Sequence, residues 1–80
     1  METKVIKTDV IALQKLMIEK GYRTITSLAA ASGVNRTTLG DILNEKAQPT
    51  YKAMMKLVMA LDMSESQAGC IFFATTLRNP

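Results

Sequence analysis

The chain has 80 residues, of which 48% are hydrophobic and 21% charged, and its formal net charge is +3. This length suits one domain, so we expect a single domain over residues 1–80, with a core from about 9 to 73, an N-terminal arm and a C-terminal tail. There is no histidine and one cysteine, Cys70. That composition excludes an internal disulfide, a Cys/His zinc site and a histidine base, and we expect Cys70 to be a small buried hydrophobe.

These absences also limit the classes of function. We expect no metal, no cofactor, no small-molecule substrate and no enzymatic activity. No apolar stretch approaches the roughly 20 residues that span a bilayer, and the N-terminus METKVIKTDV lacks the apolar run of a secretory signal. We therefore expect a cytoplasmic protein with no membrane partner. The mild basic excess is a weak indication of an anionic partner.

The first two predicted helices follow from apolar residues at helical spacing. The first runs from Asp9 to Lys20, with Thr8 or Asp9 as its N-cap and Gly21 as a stop. The second starts after a cap at Thr24 and ends at Gly33. The expected inward residues of the first helix are Val10, Leu13, Leu16 and Met17.

Three further helices are predicted in the second half of the chain. Asn35 caps a helix to Asn44, Thr50 caps one that continues through Leu61, and Ser64 caps a fifth. Gln67, three residues after Ser64, completes a capping box. The expected inward residues are Leu39, Ile42 and Leu43, then Met54, Leu57, Val58 and Leu61, and finally Ala68, Ile71 and Phe72.

Two runs are β-prone, one at each end of the chain. They are residues 4–7 (KVIK) and 71–77 (IFFATTL). These runs could pair, but we favour a frayed N-terminus and a last helix followed by an extended tail. The predicted fold class is therefore all-α.

The spacing of Ala29, Gly33, Leu39 and Ile42 is typical of a helix-turn-helix. Ala29 must be small because the third helix crosses the second there. Gly33 stands where a tight turn needs a positive φ. We expect a side chain at this position to be strained and to crowd the two helices.

The stretch LAAASGVNRTTLGDILNEKAQPTYKAMMKLVMALDMS resembles the Cro-type, lambda-repressor-like helix-turn-helix domain of phage repressors. The likeness runs from about Val10 to Ser64, and its strongest parts are residues 28–29, 33–34, 42–44 and 49–50. The resemblance implies a five-helix domain, with helices two and three as the helix-turn-helix. It also implies duplex DNA as the ligand and usually a dimer.

In the docking geometry of this motif, the N-terminal residues of the third helix meet base edges. Arg36 is the candidate for a bidentate contact to guanine, and Thr37 or Thr38 for a thymine methyl or a phosphate. Asn35 is either an N-cap alone or a cap that also faces a phosphate through the helix N-terminus. Asp41 would either accept from cytosine N4 or repel a phosphate, whereas Gly40 cannot read a base.

Family members often begin helix two with a phosphate-contacting glutamine, and Ile25 stands at that position here. Hydroxyl groups of Thr24 or Thr26 can replace the contact. A second candidate surface spans the end of helix three, its loop and the start of helix four, where the resemblance places another phosphate. Its residues are Asn44, Lys46, Gln48, Thr50, Tyr51 and Lys52.

The predicted function is that of a sequence-specific transcriptional regulator, a Cro-type phage repressor that occludes an operator as a homodimer. The candidate dimer interface consists of Met55 and Met59 on helix four with Phe73 and Leu77 near the C-terminus. An alternative is a protein-interaction module, in which the same helices bind a polymerase subunit, an antirepressor or a toxin.

Overall fold

The computed structural model describes the backbone of residues 3–78 and the side chains of residues 6–74. All five predicted helices are confirmed, and their ends lie close to the expected positions. The elements in chain order are β1 (Thr3–Lys7), α1 (Val10–Glu19), α2 (Ile25–Ser32), α3 (Arg36–Leu43), α4 (Tyr51–Ala60), α5 (Glu65–Phe72) and β2 (Ala74–Arg78).

Each helix begins at a polar residue whose side-chain oxygen accepts a backbone N–H of the first turn. The five N-caps are Asp9, Thr24, Asn35, Thr50 and Ser64. Thr24 and Ser64 form reciprocal capping boxes with the residue three positions on. A cap of this kind contributes about 1 kcal/mol. That contribution matters here because helices of 8 to 10 residues are too short to be stable alone in water.

The core lies between the five helices and contains side chains from all of them. The expected inward residues of α1 and α3 are buried, except that Val10 is half-buried. Six aliphatic side chains are almost completely excluded from solvent, and each stabilises the fold by roughly 1.5–3 kcal/mol. They are Leu13, Leu28, Leu39, Ile42, Leu57 and Leu61. This packing holds α2 and α3 in place for the site described below.

The two ends of the chain pair, so our expectation of an unpaired arm and tail is wrong. β1 and β2 form an antiparallel two-stranded sheet with Val5 opposite Thr76 at its centre. Pairing satisfies backbone N–H and C=O groups that an isolated arm would leave to water. Ile6, a residue of β1, remains 64% exposed. The domain therefore consists of a helical body with one β-ribbon made from both termini.

The first strand is anchored to the helical body at its inner end. Lys7 Nζ lies 3.4 Å from Glu45 Oε1 in the α3–α4 loop. The Asp9 N–H donates to the Ile71 carbonyl at 2.6 Å. These contacts place the base of the ribbon between the end of α3 and the end of α5.

Cys70 is exposed, which corrects the expectation that it is buried. The reason is that α5 lies at the outside of the bundle and buries one face only. Ile71 and Phe72 lie on that buried face, with Ala68 half-buried, while Cys70 lies on the solvent side.

Candidate nucleic-acid interface

The turn between α2 and α3 is built around Gly33. Its φ is +80°, and its N–H donates to the Ala29 carbonyl at 2.9 Å to end α2. Val34 is buried immediately afterwards, which directs the chain into α3. Apart from Gly33 and its two chain neighbours, no atom lies within 4 Å of where a Cβ at this position would lie. The expected crowding is therefore wrong for the first side-chain atom, and the requirement for glycine there comes from the backbone conformation.

The N-terminus of α3 is exposed and capped by Asn35. The Asn35 Oδ1 accepts hydrogen bonds from the N–H groups of Thr37 (2.8 Å) and Thr38 (3.3 Å). Arg36 and both threonine side chains lie in solvent. These three side chains are thus free of the core at the helix end where the helix dipole favours negative charge.

Arg36 lies against the start of α2. Its Nε donates to the Thr26 hydroxyl at 2.9 Å, so two of the predicted DNA-contact residues are in direct contact. Ile25, the preceding residue, packs against the core. A side chain with that orientation cannot make the phosphate contact that the resemblance implies for a glutamine at this position, whereas the exposed Thr26 lies next to it.

Thr24 serves α2 as a cap. The Thr24 Oγ1 accepts from the Ser27 N–H at 3.1 Å, and the Ser27 hydroxyl donates to the Thr24 carbonyl at 2.8 Å. The Thr24 side chain therefore lies at the exposed N-terminus of α2, where its Oγ1 already accepts a hydrogen bond from the helix backbone.

The loop from α3 to α4 folds back on α3. The Asp41 carbonyl accepts from the N–H groups of Lys46 (2.8 Å) and Ala47 (3.3 Å). Glu45 has a φ of +61°, which lets the chain reverse. Asn44 and Lys46 are exposed, whereas Asp41 is half-buried.

Gln48 lies in the same loop but turns towards the start of α1. Its Oε1 accepts from both the backbone N–H and the hydroxyl of Thr8. Only its NH₂ group remains as a donor for an outside acceptor.

A groove of about 230 Å³ separates the N-termini of α3 and α4. Four predicted residues lie around it: Asn35, Thr38, Thr50 and Lys52. Thr50 caps α4 by accepting from the Ala53 N–H at 3.1 Å. Tyr51 is the first residue of α4 and is exposed.

Lys56 is a residue of this groove that the sequence interpretation missed. Its Nζ donates to the Gly33 carbonyl at 3.4 Å, which connects α4 to the helix-turn-helix turn. The sequence contains a signal for this residue: Lys56 follows Lys52 by four residues, so the two side chains share one face of α4. Two ammonium groups and the ends of two helices make this groove suited to an anion.

The dimer candidates that the structure describes are exposed apolar side chains. Met59 is 78% exposed, Phe73 58% and Met55 42%. Leu77 belongs to β2, and its side chain lies outside the described residues. Exposed cationic and polar groups at the starts of α3 and α4 form one surface, and Met55 borders it, one helical turn after Tyr51 on α4.

This surface suits a polyanion. Within residues 6–74, no three His, Cys, Asp or Glu side chains come together as metal ligands. None of the helices described is both long enough and apolar enough for a bilayer.

Comparison with known protein families gives one match. The description of the matching family is Cro/C1-type HTH DNA-binding domain, and the match covers residues 12–67, more than half of the chain. It includes the helix-turn-helix and the α3–α4 loop but neither strand of the ribbon. Searches of curated proteins and of solved structures gave no significant match. The exposed start of α3, the cationic groove and the family match agree, and we conclude that the chain belongs to the Cro/C1-type HTH DNA-binding domain family, whose members are DNA-binding regulators.

Proposed function

We propose that this domain reads a specific duplex sequence through the start of α3 and regulates transcription as a Cro-type repressor. The observation that carries the proposal is the pairing of Arg36 with Thr26, which holds a guanidinium at the exposed end of the recognition helix. In this docking geometry that end meets base edges, and a guanidinium can pair with guanine in two hydrogen bonds.

The surrounding residues supply the sequence-independent part of binding. Lys52 and Lys56 border the groove between α3 and α4, and Lys46 is exposed on the loop beside it. Contacts from such groups to backbone phosphates fix the register of the protein on DNA. Asn44, Gln48, Thr50 and Tyr51 complete this proposed phosphate-contacting surface.

A homodimer on a two-fold operator is part of the proposal. One helix-turn-helix offers few base contacts, and two copies about one DNA turn (~34 Å) apart multiply them. The exposure of Phe73 supports an interface near the C-terminus, because removing an apolar ring from water lowers the free energy. β2 also pairs with β1 along one edge only, because the sheet has two strands. Its other edge is available to pair with β2 of a second copy.

Repression follows from occupancy. A bound dimer covers operator DNA and prevents polymerase or a competing regulator from using it, in the cytoplasm of the host cell. The chain itself, residues 1–80, acts in this proposal as one DNA-binding unit.

Selection from a random pool of duplexes tests this function. We expect recovered sequences to contain a palindrome whose half-sites are about one helical turn apart, and binding to weaken steeply with salt. Recovery of no common sequence, with salt-insensitive weak binding, would contradict the proposal.

A protein-interaction module is the second candidate, and α1 carries the observation that favours it. Ile11 and Ile18 lie two turns apart on its outer face and are 63% and 57% exposed. Such side chains are suited to a partner helix. A parent protein without selective, salt-dependent binding to duplex DNA, together with loss of regulation in cells by Ile18→Lys, would support this candidate.

A further inference from the structure

The contact between α2 and α3 at the exposed end of the helix-turn-helix involves one donor and one neutral acceptor. The Arg36 Nε donates to the Thr26 Oγ1 at 2.9 Å. From this geometry we infer that Thr26 is a positioning residue, which fixes the Arg36 guanidinium so that it reads a single guanine end-on. This inference rests on the proposed function, because it assumes that Arg36 reaches a base.

The geometry of the guanidinium limits how it can pair once Nε is occupied. Arginine has five N–H donors in a rigid planar fork. Two arrangements give a pair of parallel hydrogen bonds: the side-on arrangement uses Nε and one Nη, and the end-on arrangement uses both Nη atoms. The bond to Thr26 uses the Nε–H, so only the end-on arrangement remains for O6 and N7 of guanine.

The neutrality of the partner preserves the charge that DNA recognises. A carboxylate in place of the hydroxyl would hold the guanidinium more strongly but would offset its positive charge. The ion pair found among the described side chains is Lys7–Glu45, which does not involve Arg36. A threonine hydroxyl therefore orients the fork and leaves its full charge available to the DNA.

The position of Thr26 allows this role without any contribution to the core. It is an exposed residue of the first turn of α2, and β-branching restricts its χ1 angle. A side chain with few rotamers holds its acceptor steady, so the long Arg36 side chain is ordered before DNA arrives. Ordering in advance reduces the entropy lost on binding.

Equilibrium binding by Thr26→Val and Thr26→Ser variants tests the inference. The first removes the acceptor at nearly constant shape, and the second retains it. Both are measured on the duplex selected by the parent protein and on a duplex in which the guanine that depends on Arg36 is replaced by adenine. An unchanged melting temperature controls for folding.

We expect Thr26→Val to reduce the preference for guanine over adenine by about three- to tenfold, part of what a bidentate pair provides. Thr26→Ser should retain most of the preference. In an Arg36→Lys background, which lacks the planar fork, Thr26→Val should change the preference little, because the two residues act as one unit.

Two results would overturn the inference while leaving the proposed function intact. One is an equal loss of affinity by Thr26→Val for both duplexes. The other is a loss of guanine preference in Thr26→Ser as large as in Thr26→Val. If the parent protein shows no base preference that depends on Arg36, the proposed function fails, and this inference fails with it.

Discussion

Gln48 accepts two hydrogen bonds from Thr8, a residue 40 positions earlier in the chain. Its Oε1 lies 3.2 Å from the Thr8 backbone nitrogen and 3.1 Å from the Thr8 Oγ1. Thr8 is only 3% exposed, so water cannot readily replace this acceptor. The contact joins the start of α1 to the loop that carries Lys46. It therefore connects the base of the ribbon to the candidate DNA surface.

Removal of this acceptor should destabilise the domain. In Gln48→Ala, the buried Thr8 N–H and hydroxyl lose their partner, at a cost of about 1–2 kcal/mol. For a domain of this size that lowers the Tm by roughly 4–16 °C. Gln14→Ala, on the exposed face of α1, is the matched control and should change the free energy of unfolding by less than about 0.5 kcal/mol. Equal melting of the two variants would show that the Thr8 contact contributes no stability.

Two glycines should respond in opposite directions to the same substitution. Gly33 has a φ of +80°, whereas Gly69 lies within α5, and an added Cβ at either position would meet no atom within 4 Å beyond the adjoining backbone and chain neighbours. Gly33→Ala should therefore cost about 1–2 kcal/mol from backbone strain. Gly69→Ala should stabilise by about 0.5–1 kcal/mol because alanine is the better helix former.

Thermal melting without DNA measures both effects. Gly33→Val should be at least as harmful as Gly33→Ala, since a β-branched side chain is still less tolerant of positive φ. If Gly33→Ala melted at the temperature of the parent protein, the turn would not need the left-handed conformation.

Lys46 and Arg36 should affect DNA binding in different ways. Lys46→Ala should weaken binding to all duplexes and flatten the slope of log K against log salt by about 0.9 per half-site, the value for one phosphate contact. Arg36→Ala should weaken binding to the selected duplex by about 1–3 kcal/mol and relax the base preference at one position per half-site.

A charge control separates local contact from overall electrostatics. Lys15→Ala removes the same charge from α1, where the side chain is exposed, and should leave the salt slope nearly unchanged. If instead Lys46→Ala altered the selected sequence and Arg36→Ala did not, the proposed orientation of α3 on DNA would be wrong.

Self-association should depend on the C-terminal end of the chain. Sedimentation of the free protein from micromolar to hundred-micromolar concentrations should show a concentration-dependent dimer. Phe73→Lys should abolish it without unfolding the domain, because it places a charge in the interface, and Met59→Lys should have a smaller effect. Gln14→Lys introduces the same charge at an exposed position of α1 and serves as the control. A parent protein that stays monomeric and binds one half-site with one-to-one stoichiometry would contradict the dimer proposal.

The five helices could be predicted from the sequence because the interactions that determine them are local. A capping oxygen at Thr24, Asn35 or Ser64 reaches an N–H two or three residues away, so cap and target lie within one short window of sequence. The left-handed turn at Gly33 is equally local. The same holds for the inner face of α3, since a spacing of three or four residues places Leu39 and Ile42 on one side.

Contacts between distant segments required the tertiary structure. The pairing of β1 with β2 joins residues 3–7 to residues 74–78, and no turn motif connects these runs. Their pairing is favourable only after the helices have brought the two ends together, because closing so long a loop costs entropy that two short strands cannot offset. Exposure of Cys70 likewise depends on α5 lying at the outside of the bundle.

The details of the DNA surface also depended on how the helices pack. Thr26 and Arg36 were both readable as candidates, but their hydrogen bond exists only at the angle at which α2 and α3 cross. The same is true of Lys56, which reaches the Gly33 carbonyl because α4 packs beside the turn. Local sequence determined which groups are polar and exposed at helix ends, whereas burial of Leu28, Leu39 and Leu57 between the helices decided which of those groups meet.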